Sequence, residues 1–206
     1  MLSKFSGDEP WVEAATIQSH TSTWGLVLIF HLWYDMLDSQ DLVCSPQVVL
    51  RPTNRGDIPA LFAMQCDPES NRLAGTKPRG RADFEARWDE ILRVPQAPEV
   101  RVTPRAILAD GVLVGSINIF PVDGSDAIGY WIDRGHWGRG IATRAVGLLI
   151  AEVSTRPLVA HVEVNNTASL RVLERHGFVV VDRQRKQETE RYIGSEVFIL
   201  RLGGDT

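Results

Sequence analysis

The sequence predicts an α/β fold of the mixed α+β kind, one sheet with helices packed on it, and three observations carry that expectation. From residue 46 onwards, short apolar runs of strand length alternate with segments of helical periodicity. Asp110-Gly111 separates two apolar runs, a strong signal for an antiparallel hairpin, because both turn positions tolerate positive φ. A strand-like run beginning at Ile128 feeds a glycine-rich loop and then an amphipathic helix.

Taken in order, Val48 to Leu50 read as the first strand. Asp57 to Cys66 read as a helix, with Ile58, Leu61, Phe62 and Gln65 at i, i+3, i+4, i+7 spacing and Pro68 as its terminator. GTKPRGR, residues 75–81, is a loop by composition, and Ala82 to Arg93 form a second helix with Phe84, Trp88, Ile91 and Leu92 along one stripe. The hairpin pairs Ala106 to Leu108 with Val112 to Phe120. After the turn-rich PVDGSD come a strand from Ala127 to Ile132 and a helix beginning near Gly140. A strand from Leu158 to Val164, a helix from about Thr167 to Arg175, and strands at Val179 to Asp182 and Glu196 to Leu202 complete the series. No internal repeat or low-complexity segment interrupts it.

With 206 residues, 44% of them hydrophobic and 23% charged, the chain is long enough to build a core without metal or disulfide support. A net charge of −4 argues against a protein that coats phosphate backbones. Cys44 and Cys66 have no metal-ligand spacing and suit a reducing cytoplasm. The expectation is therefore a cytoplasmic domain, monomer or homodimer, with no metal, no nucleic acid and no membrane as partner. Residues 1–45 read as an N-terminal extension of unknown role ahead of a domain spanning 46–206. Within the extension, Trp24 to Leu37 is the most apolar run; it is shorter than the roughly 20 residues a bilayer span needs and lacks the flanks of a signal peptide. It reads as a helix or strand packed on the main domain, or as a dimer contact.

The chemistry concentrates in Ile128 to Val153, where Gly135, Gly138 and Gly140 lie between a strand and a helix. Glycines let a backbone approach a ligand closely, and the first N–H groups of a helix lack internal partners, so such a junction suits a pyrophosphate. The spacing is neither G-x-x-x-x-G-K-[ST] nor the dinucleotide fingerprint, whose order it reverses. It resembles the acetyl-CoA loop, [QR]-x-x-G-x-[GA], of the GNAT acetyltransferase superfamily, reading here Trp137-Gly138-Arg139-Gly140-Ile141-Ala142, with Trp137 in place of Gln or Arg. That variant, followed by Thr143, resembles the branch of RimJ/RimL-like ribosomal-protein N-terminal acetyltransferases. A second segment, VEVNNTASLRVLERHGFVV, is similar to the branch pattern N-x-x-S-x-x-x-L-E-x-x-G-F through Asn166, Ser169, Leu173, Glu174, Gly177 and Phe178. A third, Val48 to Phe62, is similar to L-R-P-x-x-x-x-D-x-x-x-L-F.

The resemblance implies a mostly antiparallel sheet with helices on both faces, splayed where the strands at Ile128 and Leu158 diverge. It implies that backbone around Ile132, Asp133 and Arg134 binds the pantetheine arm of acetyl-CoA as an added strand would. The loop from Trp137 through Gly138, Arg139, Gly140, Ile141 and Ala142 to Thr143 would take the pyrophosphate, and Asn166 and Ser169 would lie against the arm. The implied reaction is direct attack of a primary amine, on a protein N-terminus or a small molecule, upon the thioester. Asp126 stands where many members carry a base, and read from the residues alone it is a turn aspartate in DGSD. His161 and Glu163 are secondary candidates for proton relay. The superfamily's usual acid, a tyrosine, corresponds to Leu173, so Ser169 or a water takes that role. Tyr130 and Trp131 read as packing and pocket wall. Arg144 replaces a glutamate of the branch without evident reason. A non-catalytic acyl-CoA-binding sensor or scaffold is the alternative function.

Overall fold

The computed structural model describes residues 45–93, 104–122 and 124–203, so the expected N-terminal extension, with its Trp24 to Leu37 run, lies outside the described residues. Seven strands, β1 (Val48–Pro52), β2 (Arg105–Ala109), β3 (Val112–Val122), β4 (Ser125–Ile132), β5 (Leu158–Glu163), β6 (Val179–Arg185) and β7 (Glu196–Leu202), form one sheet in the order β1-β2-β3-β4-β5-β7-β6. All neighbours are antiparallel except β4 and β5, which run parallel. The expected mixed, mostly antiparallel sheet is therefore the one the chain forms. Among the described residues five α-helices pack on it: α1 (Ile58–Gln65), α2 (Pro68–Ala74), α3 (Arg81–Arg93), α4 (Ile141–Glu152) and α5 (Thr167–Glu174).

The helices lie on both faces because the strands alternate. Ile128, Tyr130 and Ile132 of β4 join a core with Ile141, Ala145, Val146 and Leu149 of α4 and Leu173 of α5. A second core, on α1 and α3, gathers Ile58, Leu61, Phe84 and Trp88 with Leu113 of β3 beside them. The hairpin turn at Asp110-Gly111 forms as expected, with φ of 51° and 80°. β3 is bulged opposite Ile107 and Leu108, and a Cβ at Gly115 would sit 2.1 Å from the Trp131 carbonyl oxygen. Only glycine fits there.

Several boundaries shift for local reasons. Pro68 does not merely end a helix; it opens α2, with Asp67 as N-cap accepting from the Ser70 amide at 2.7 Å. Gly75, with φ of 63°, then terminates that helix. Residues 55–57, Arg55–Asp57, form a 3-10 turn ahead of α1, and Cys66 is an exposed residue at the end of α1. β4 begins at Ser125, so Asp126 is a strand residue and not a turn residue, and β6 extends three residues beyond its expected end.

β1 is fastened to α1 by Arg51, whose Nη1 and Nη2 each donate to Asp57 at 2.7 Å. The Asn54 amide donates to the same carboxylate at 2.9 Å, completing a capping box. The Arg51 guanidinium holds the Asp57 carboxyl below its usual range against the opposing effect of burial, and the Asn54 amide assists. A lowered folded-state value means that this stabilisation is present above the unfolded value near pH 4 and is lost as pH falls through the folded one. Because Arg51 is one-third exposed, Asp57→Ala is expected to cost about 2 kcal/mol at pH 7. Urea unfolding at pH 7 and again below pH 3 checks this, since the difference between wild type and variant shrinks in acid.

Candidate functional site

β4 and β5 pair at only two positions, Asp126 with Leu158 and Ala127 with Val159. Beyond them five residues of β4 and four of β5 continue without pairing to each other, while each keeps its outer neighbour. A V-shaped gap results. The Asp133 amide donates to the Val114 carbonyl at 2.8 Å, so it points toward β3. By the alternation of antiparallel pairing, the N–H groups of Tyr130 and Ile132 and the C=O of Tyr130 point the other way, into the gap. An extended ligand bearing amides would meet a strand edge there.

The mouth of the gap leads to the start of α4. Gly140 caps the helix in the left-handed region with φ of 71°, Gly138 has φ of 75°, and no side chain caps the first turn. The N–H groups of Ile141, Ala142 and Thr143 therefore face outward at the positive end of the helix dipole. Arg139 stands beside them, 3.8 Å from Asp110. Trp137 has a structural purpose: its indole Nε1 donates to the Ile132 carbonyl at 2.9 Å and braces the loop against the end of β4. Arg144 does the same from the helix, donating to the carbonyls of Arg139 and Pro46, each at 3.4 Å. Arg134 reaches Asp67 at 3.5 Å, and Asp133 holds His136 at 2.8 Å.

Across the gap from β4, the Asn166 side chain is committed to structure. Its Oδ1 caps α5 by accepting from the Ser169 amide at 3.0 Å, and its Nδ2 donates to the Leu73 carbonyl of α2 at 3.1 Å. This aims Ser169 at β4, where its hydroxyl lies 2.7 Å from the Tyr130 hydroxyl. Burial raises the Tyr130 phenol to about 12, and the bond to Ser169 partly offsets that, so it stays protonated across the physiological range. The sequence reads Tyr130 as packing and pocket wall, and its bond to Ser169 is the addition the structure makes. The available signal was parity: Tyr130 shares its strand face with Ile128 and Ile132, toward the helix that carries Ser169.

On the opposite face of the sheet, a cavity of about 480 Å³ abuts the gap, with Gly129, Trp131, Ser116 and Phe120 as floor and Phe84 and Trp88 as wall. Trp131 Nε1 donates to the Met64 carbonyl at 3.2 Å, fixing the floor to α1. Asp126 is not brought to this place. It is 2% exposed, lies at the closed end of the paired strands, and shares the face of Ile128, away from the cavity. A rise of six residue steps along β4, roughly 20 Å, separates it from Ile132. Glu163 accepts from Ser195 at 2.7 Å, and neither it nor His161 lines the cavity. Leu173 is 1% exposed in the core. Among the described residues no group of three or more His, Cys, Asp or Glu could hold a metal ion, and no helix is long and apolar enough to cross a membrane.

A parallel strand pair that parts beside an uncapped helix start defines a protein built to accept an extended amide-bearing ligand that ends in phosphates. The acetyltransferase (GNAT) domain model matches residues 47–179, and the chain belongs to that family. A probable N-acetyltransferase of Bacillus subtilis, YjcK, is 35% identical over 78 residues, which are 34% of this chain and 43% of that protein, so the chain spans less than half of that relative. The Salmonella typhimurium acetyltransferase that modifies the N-terminal serine of ribosomal protein L7/L12 superposes with a TM-score of 0.62 at 19% identity, over 77% of this chain and 95% of that one. The Vibrio cholerae spermidine N-acetyltransferase, solved with CoA and spermine, gives 0.62 at 16% identity over 76% and 95%. Those likenesses show the fold.

Gly140→Val forces a β-branched residue into a φ of 71° at the helix start. It is expected to weaken acetyl-CoA binding at least tenfold, while circular dichroism and thermal unfolding report a folded domain; calorimetric titration of acetyl-CoA measures the loss.

Proposed function

We propose that this chain is an acetyl-CoA-dependent N-acetyltransferase that moves the acetyl group directly to a primary amine, on a protein N-terminus or a small molecule. The observation that carries the reading is the gap between β4 and β5, which joins the α4 start at one side and the aromatic cavity at the other. Acetyl-CoA supplies an acyl group activated as a thioester, and its aminolysis needs no covalent enzyme intermediate. The residues of the chain then have three tasks. Backbone groups of Tyr130 and Ile132 orient the extended arm, and the N–H groups of Ile141, Ala142 and Thr143, with Arg139, hold the phosphates. The cavity brings the amine to the floor formed by Gly129 and Trp131, where proximity supplies much of the rate. Ser169 gives its proton to the departing thiolate as the Tyr130 phenol, held 2.7 Å away, gives its own to Ser169, and the proton that the amine nitrogen loses on forming the amide returns to Tyr130 through water, so the enzyme ends neutral and unchanged.

The RimJ/RimL-like branch is supported by Trp137 in the loop and by Asn166 and Ser169 in order after β5. A cytoplasmic location is supported by the two cysteines without metal spacing. Release of CoA thiol in the presence of amines tests the function itself, and acetyl-CoA binding without release on any amine would leave only the sensor reading. Ser169→Ala is expected to lower kcat by about 10- to 100-fold with little change in acetyl-CoA affinity, and Tyr130→Phe to lower it less. Asp126→Asn is expected to leave the pH–rate profile unmoved, because its carboxylate is buried at the closed end of the strand pair, away from the cavity.

A further inference from the structure

The cavity carries a charge pattern that the transfer chemistry does not use. Arg79, Arg87 and Arg191 line it against one carboxylate, Glu90. Arg87 and Glu90 satisfy each other at 3.0 Å on the exposed side of α3. Arg79 and Arg191 are both half-buried, and among the described residues neither forms an ion pair with a carboxylate. Arg79 meets Gln65 through its backbone, its amide donating to Oε1 at 3.4 Å and its carbonyl accepting from Nε2 at 3.2 Å, which leaves the guanidinium to the cavity. Arg191 donates through Nη1 to the Lys77 carbonyl. Burial lowers the Arg191 pKa, and the positive charge of Arg79 lowers it further.

Neither arginine is a loose surface side chain. The loop after α2 and the loop between β6 and β7 clasp each other through a bridge between Thr76 and Tyr192. The Lys77 amide donates to the Arg191 carbonyl at 2.8 Å, and the Ile193 amide to that of Gly75 at 3.0 Å. Lys77 Nζ closes the clasp on Glu188 at 2.6 Å. Behind it, a Cβ at Gly75 would strike Glu163 Oε1 at 2.0 Å, so the loop sits hard against β5. Two like charges held together in a partly desolvated pocket cost free energy, and an anion between them offsets that cost. The planar guanidinium groups suit a carboxylate or a phosphate. A polyamine would instead bring a second positive charge to the same place.

We propose that the acceptor amine carries an anionic group of its own, a carboxylate or a phosphate, which Arg79 and Arg191 hold while the amine faces the gap between β4 and β5. The inference rests on the transferase reading above. Its test uses the full chain with acetyl-CoA and amines in matched pairs that differ only in the anion: β-alanine with β-alaninamide, phosphoethanolamine with ethanolamine, and a short peptide with Asp or Asn in second position, with spermidine as the cationic control. Thiol release is expected to give the anionic member of at least one pair a kcat/KM about tenfold or more above its neutral partner and above spermidine. The preferred pair tells carboxylate from phosphate. Arg79→Gln and Arg191→Gln should each collapse the ratio through a higher KM for the anionic amine, with acetyl-CoA affinity by calorimetry unchanged. Arg79→Gln keeps the test valid should loss of the Arg191 bond to Lys77 unfold the clasp. Ratios at or below one in all pairs, or ratios unmoved in both variants, overturn the anion site and leave the transferase standing. Acetyl-CoA bound without turnover of any amine overturns both.

Discussion

The divergence of β4 and β5 after two paired residues is the constraint on which the remaining architecture depends. A sheet interrupted this way leaves backbone donors and acceptors without a neighbouring strand, and such groups are costly inside a protein unless something else engages them. The chain supports the interruption from both sides. β3 pairs with β4 along its whole length, and β7 pairs with all six residues of β5, so each strand is held by its outer neighbour alone. The bulge in β3 and the bare Gly115 let β3 approach β4 closely where support is most needed.

Side chains then fix what the interruption leaves. Trp137 uses its one polar atom to take the last carbonyl of β4, and Trp131 uses its own to take a carbonyl at the end of α1. Each indole is an apolar body with a single donor, and each ties a strand end to a neighbouring element. Asn166 joins α5 to α2 while capping α5, which makes the orientation of Ser169 a consequence of helix capping. The Tyr130 to Ser169 bond, in turn, spans the gap that the strands leave.

The two faces of the sheet divide the labour. The face under α4 and α5 is continuous hydrocarbon, broken by Tyr130 and Asp126, while the face under α1 and α3 holds the cavity. The phosphate recognition proposed on one side would use backbone amides and a helix end, which need no net positive charge and agree with a chain at −4. The anion site proposed on the other side is made of arginine side chains carried by two loops that touch only after the sheet has formed.

Motif spacing in the sequence was enough to determine the mixed sheet, the glycine-rich junction before α4, the capped helix at Asn166 and the family to which they belong, because each of these is a local pattern of turn chemistry and periodicity. The hairpin at Asp110-Gly111 and the strand Glu196–Leu202 were legible for the same reason. The helix at Pro68–Ala74 was not, since a proline that stops one helix is equally suited to start the next, and the deciding partner, the Asp67 cap, is two-sided in sequence. Only the tertiary structure decided where side chains meet across elements. The closed end of the sheet kept Asp126 buried and away from the cavity, strand parity brought Tyr130 to Ser169, and the contact of two distant loops brought Arg79 and Arg191 to one cavity. Those are relations between residues far apart in the chain, and no local pattern encodes a distance that exists only after the strands have paired.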